Sequence, residues 1–160
     1  MSPRPLAAIC AAVALLLNIA VERTLMGVAG SFTIIPGLAD FHHAWNRGVS
    51  FSLLTQNADS GRYMLMAGLA AISAVVAWLA WKSTTRLGAA GYGLILGGAL
   101  GNLVDRALYK AVFDFLYLHL GDMPLFVCNF ADIAISAGVV LLLLESLLAK
   151  PRSNAGPSQA

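Results

Sequence analysis

The sequence predicts an all-α polytopic membrane protein: four transmembrane helices, with a small amphipathic β-sheet on the outer membrane surface. Three observations carry that expectation. The chain has 160 residues, of which 59% are hydrophobic, and a mean hydropathy of +0.77. Only 11% of residues are charged, against roughly 25% in soluble domains. The apolar residues also fall into four long runs, each near the roughly 20 residues that a spanning helix needs. A soluble domain of this size buries only about two thirds of the surface its unfolded chain exposes, so it could not hide this much apolar area. Disorder, nucleic-acid binding and a disulfide scaffold are excluded on the same grounds. The net charge of +2 is too small to argue for an anionic partner.

The first span is expected over residues 6–21, broken only by Asn18. Arg4 followed by an apolar run has the look of a secretory signal, but three further spans favour a retained helix. In the segment 22–62, residues 31–35 and 44–53 are rich in strand formers and turn residues, with Pro36-Gly37 as the turn between them. They read as the outer sheet. The second and third spans, 63–81 and 87–104, carry no charge up to Val104, and the fourth, 126–144, carries one carboxylate, Asp132. Residues 106–125 link the last two spans. The runs are too long and too uniform for barrel strands. Residues 1–150 read as a single membrane-embedded domain, and 151–160 as a disordered cytoplasmic tail. Arg4, Lys82, Arg86, Lys150 and Arg152 fall on one side, and Arg23, Arg47, Arg62, Arg106 and Lys110 on the other. The count is a tie. The first set is packed into short flanks and one tight loop, which places the termini in the cytoplasm.

The polar residues are the informative ones. Asn102, Asp105, Arg106, Asp114, Asn129 and Asp132 all map to one depth, the outer interface, and Asn46 lies in Trp45-Asn46-Arg47-Gly48. An ionisable group inside a span costs about 2.5–3.5 kcal/mol at the bilayer centre, so Asp132 needs a partner or a wet pocket. Asp114 and Asp132 are each flanked by apolar residues and belong to elements that meet at the end of one short connection. Two carboxylates held close tend to share a proton. One then acts as general base on a water, and the other polarises a scissile carbonyl. That is aspartic-peptidase chemistry, without metal or other cofactor.

Blander readings stand beside this one. Asp132 can be a paired structural carboxylate, Asp105-Arg106 an interfacial charge pair that ends a helix, and Asn102 and Asn129 hydrogen-bond glue between helices. Gly97-Gly98-Ala99-Leu100-Gly101 lies inside a span and reads as a close-packing surface. Cys10 and Cys128 read as small hydrophobes; His42, His43 and His119 as surface groups. Ser50 and Ser52 have no histidine placed by a motif. A transport or proton-relay subunit would use the same carboxylates, but relay groups should also appear near the midplane, and the second and third spans have none. A purely structural subunit with a polar cap is the third reading.

Four blocks carry a family resemblance: Asn46-Arg47-Gly48-Val49-Ser50-Phe51-Ser52, the run from Gly97 to Arg106, Val112-Phe113-Asp114-Phe115, and Asn129-Phe130-Ala131-Asp132. In order and spacing they resemble lipoprotein signal peptidase, the type II signal peptidase of bacterial inner membranes, over residues 6–148. The resemblance implies an aspartic endopeptidase that cuts diacylglyceryl-modified prolipoproteins just before the lipidated cysteine. Asp114 and Asp132 would be the catalytic dyad. Asn46, Asn102, Arg106 and Asn129 would line the site and orient substrate, with Asp105 and Gly48 in support. No cofactor is implied, the partners are prolipoproteins and membrane lipid, and a monomer is expected. The active site would lie near the periplasmic face. There is one departure: where the family usually carries an aspartate near the end of the first helix and a lysine a few positions on, this chain has Asn18, with Glu22 and Arg23 nearby.

Overall fold

A computed structural model of the chain describes residues 1–48 and 59–148. In chain order its elements are α1 (Pro3–Leu25), β1 (Phe32–Ile35), β2 (Ala39–Asn46), α2 (Asp59–Lys82), α3 (Arg86–Tyr109), β3 (Val112–Leu120), β4 (Met123–Cys128) and α4 (Phe130–Leu148). All four helices are long and apolar enough to cross a membrane. Their outward faces carry large apolar side chains such as Leu16, Trp78, Trp81 and Leu143. In water such faces would be costly; in lipid they are matched to the solvent.

Helix α3 is the axis of the bundle and packs on all three others. Its glycines explain how. Gly93, Gly97 and Gly101 recur every four residues and face α1, while Gly91 and Gly98 face α4. A Cβ at Gly97 would stand 2.5 Å from the carbonyl oxygen of Ala11, and one at Gly98 2.5 Å from that of Ala131. The glycine run therefore lets two neighbours approach to backbone contact on opposite faces, the close-packing role expected of it. Thr85 opens α3, its hydroxyl accepting from Gly88 N at 3.0 Å. Lys110 closes it with φ 62°, the left-handed cap conformation.

The strands form one antiparallel sheet in the order β1-β2-β3-β4. Gly37, with φ 77°, makes the first hairpin turn after Pro36, and Gly121, with φ 57°, makes the second. The two turns meet, Gly121 N donating to Gly37 O at 3.0 Å. Beneath the sheet, Phe41, Phe113 and Phe115 form a core against Val21, Leu25 and Met26 of the α1 terminus and Phe130 of α4. Fully burying each such ring contributes about 1.5–3 kcal/mol, which clamps the sheet onto that end of the bundle. The three histidines serve the sheet. His43 packs edge-on to Phe41 and Phe113, and His119 Nε2 lies 3.3 Å from Asp40 Oδ2, with His42 at 4.0 Å.

The sheet differs from the sequence expectation in two ways. Half of it comes from residues 112–128, which read as a plain connection running into the fourth span. Residues 112–120 are nearly all apolar, so average hydropathy hides their strand-like run of aromatic and branched side chains. The helix α3 accordingly runs on to Tyr109 and α4 begins only at Phe130. On the N-terminal side, β2 ends at Asn46; residues 49–53 of the expected second strand, with Ser50 and Ser52, lie outside the described residues.

Candidate active site

The site forms where β2, β3, the end of α3 and the start of α4 converge. Strand β3 pairs Asp114 with Ala44 of β2, which puts Asn46 diagonally across from Asp114. Asn46 is oriented by its own backbone: its Oδ1 accepts from Gly48 N at 3.1 Å, a local Asx turn. Its Nδ2 is left to donate to Asp114 Oδ2 at 3.1 Å.

Asp132 is set by helix capping. Asn129 is the N-cap of α4, and its Oδ1 accepts from Asp132 N at 3.0 Å; Asp132 Oδ2 accepts in return from Asn129 N at 3.2 Å. This reciprocal capping box fixes the start of the helix and the aspartate rotamer together. Asp132 Oδ1 accepts from Asn102 Nδ2 at 3.2 Å. Asn129 then joins the two carboxyl groups through two different groups: its backbone N–H donates to Asp132, and its side-chain Nδ2 donates to Asp114 Oδ1 at 3.1 Å and to Asn102 Oδ1 at 3.0 Å. Asn102 and Asn129 are thus helix-to-helix hydrogen-bond glue, as one reading had it, and they orient the carboxylates by the same bonds.

Asp105 and Arg106 diverge rather than pair face to face. Arg106 Nη2 donates to Gly48 O at 2.9 Å and Nη1 to Asn102 O at 3.2 Å, so it clasps the chain after β2 to α3. Asp105 Oδ2 accepts from Phe113 N at 3.2 Å, anchoring the start of β3. Gly48 is buried at that clasp.

Asp114 and Asp132 both open onto a cleft of about 690 Å³, lined also by Trp45, Asn46, Arg47, Gly48, Leu125, Phe126, Val127, Cys128, Ile135 and Ser136. Asn102, Arg106 and Asn129 stand behind the carboxylates rather than on that wall. Burial pushes Asp114 up to about 7, against the pull of the Asn46 amide and with the help of the Asp132 charge. Each Asp114 oxygen receives an amide N–H, so the hydrogen of the neutral acid has the open cleft left to it. The Cys128 thiol is pushed up to about 11, by burial first and then by the charges of Asp132 and Asp114. Among the described residues no group of three His, Cys, Asp or Glu side chains could hold a metal ion.

Sequence reasoning passed over Cys128, Ile135 and Ser136. The last two were recoverable: they follow Asp132 by three and four residues and share its helix face. Cys128 gave no such signal. Glu22, noted only beside the departure at Asn18, lies buried near Asp105.

The chain matches a family model described as signal peptidase (SPase) II over residues 6–148. It is 43% identical to a lipoprotein signal peptidase of Methylocella silvestris, with 98% of this chain and 94% of the relative covered. It is 51% identical to one of Methylorubrum extorquens over 72% of this chain and 67% of the relative. A solved bacterial membrane enzyme superposes with a TM-score of 0.78, covering all of this chain and 99% of the other at 20% identity, a likeness of fold. On the extent of the family match and the full-length relatives, the chain belongs to the signal peptidase II family.

Proposed function

We propose that the chain removes the signal peptide from diacylglyceryl-modified prolipoproteins by cutting before the lipidated cysteine, with Asp114 and Asp132 as the dyad. The observation that carries this is the meeting of the two carboxyl groups on one cleft, tied through a single asparagine, whose backbone N–H holds Asp132 and whose side-chain amide holds Asp114. Asp114, its proton retained to near neutral pH, is the acid. Asp132, met only by N–H donors, is the base. Asp132 takes a proton from water as its oxygen attacks the scissile carbonyl carbon, and Asp114 gives its proton to the carbonyl oxygen. The tetrahedral diol then returns one hydroxyl proton to Asp114. The C–N bond breaks as Asp132 passes its proton to the departing amine of the cysteine. Both carboxyl groups end as they began.

The cleft wall of Leu125, Phe126, Val127 and Ile135 suits an apolar signal peptide, while the acyl chains stay in the bilayer. The protein is read as a multi-pass monomer of the inner membrane, termini cytoplasmic and the sheet end of the bundle periplasmic. Purified protein is incubated with diacylglyceryl-modified precursor and with its unmodified twin. Cleavage of the modified form alone, abolished in Asp114→Asn and Asp132→Asn, is expected. Equal cutting of both would reject the lipid requirement, and cutting by either variant at the parent rate would reject the dyad.

A further inference from the structure

A second carboxyl pair lies behind the dyad. Glu22, near the end of α1, and Asp105, near the end of α3, are each 2% exposed, and Asn18, one turn before Glu22, is fully buried. The Asn18 amide rests on Gly101, where a Cβ would stand 2.8 Å from its nitrogen, and it lies against the Glu22 carboxyl without a well-formed hydrogen bond. Glu22 Oε1 is likewise buried without a partner. Gly93, Gly97 and Gly101 of α3 rest on Ala7, Ala11 and Asn18 of α1, and one turn further along the same two helices brings the Asp105 and Glu22 carboxyls into contact. Ionised carboxylates only accept, so that contact needs a proton between them. Asp105 already accepts Phe113 N–H through Oδ2, and it has Arg106 and Arg23 nearby. The donor in the pair is therefore Glu22. Phe113 is the residue next to Asp114.

We propose that Glu22 is a positioning residue for the dyad: as a carboxylic acid it donates to Asp105, and Asp105 in turn pins Phe113 N–H and so fixes where Asp114 enters the cleft. The charged groups facing Glu22 are Asp105 of α3 and Asp114 of β3, while Arg106 of α3 and Arg23 of α1 face Asp105. Ionised glutamate would set a second negative charge against Asp105 in a buried site. A neutral donor holds Asp105 without that repulsion, leaving its other bonds directed at β3. The inference rests on Asp114 being catalytic, since it acts through that residue.

The test compares Glu22→Gln with Glu22→Met, two neutral side chains of similar shape that differ in donor ability. Cleavage of the lipidated precursor is measured for each in detergent, with kcat and KM separated and folding followed by thermal melting. Glu22→Gln is expected within about twofold of the parent in kcat. Glu22→Met is expected to lose about tenfold or more in kcat with KM nearly unchanged, because small misplacements of reacting groups cost rate rather than binding. A folded Glu22→Gln protein that loses activity would show that charge, not a donor, is needed, and would overturn the proposal; so would a Glu22→Met protein at the parent rate. If Glu22→Met does not fold, the Gln variant alone decides. Asp114→Asn is assayed in parallel: if it cuts within tenfold of the parent, the dyad reading fails; if it falls by about a hundredfold or more and Glu22→Met is unimpaired, only the role of Glu22 fails.

Discussion

Asp114→Asn keeps the shape of the side chain and removes its proton chemistry. Asp114 accepts two amide bonds at 3.1 Å, from Asn46 Nδ2 and Asn129 Nδ2. An asparagine can accept at only one of its two positions, so one donor is left facing an NH₂ group, at a cost of about 1–3 kcal/mol. Against this, Asp114 titrates near 7 instead of its ordinary 3.8, which corresponds to about 4 kcal/mol. A raised carboxyl pKa means the folded chain keeps a proton that the unfolded chain has released. That stabilisation is complete below about 4, falls as pH rises, and is gone above about 7. The parent protein in detergent should therefore lose thermal stability between pH 4 and 7 more steeply than the variant. Cleavage of lipidated precursor by the variant should fall by about 10²–10⁴, the usual contribution of a general acid. Parallel melting curves across that pH range would refute the buried-acid argument. A correctly inserted variant cutting within tenfold of the parent would refute the acid role itself.

Asn129→Ala removes the α4 cap and both amide bonds of the site; the cap alone is worth about 0.5–2 kcal/mol, so melting should drop by a few degrees while kcat falls more than tenfold. Gly97→Val sets side-chain atoms against the Ala11 carbonyl and should cost about 1–3 kcal/mol by overpacking, read as a lower melting temperature and reduced membrane-inserted yield. Cys128 lines the cleft, yet with its thiol held up at about 11 it should alkylate with iodoacetamide at pH 8 far more slowly than a free cysteine; fast labelling in the folded protein would contradict the geometry. Parent activity should decline as pH rises through about 7, as Asp114 loses the proton it donates. A pH–kcat profile flat from 4 to 9 would count against the division of roles.

The four spanning helices were legible because lipid imposes one simple condition: each crossing segment must be long and apolar enough to satisfy its backbone internally. The glycine run of α3 and the belt of Asn, Asp and Arg at one depth could be read from the same residues. The β3-β4 hairpin was not, because residues 112–120 are buried or half-buried along most of their length, and such a strand shows no alternation to set it apart from a helix. No local pattern could have paired Asn46 with Asp114, 68 positions apart, or turned Asn129 into the bond between two carboxyl groups. Composition and periodicity decide what can lie in a bilayer. Which acids hold a proton, and which amides aim them, depends on contacts between distant segments, and those exist only once the sheet has closed over the ends of α3 and α4.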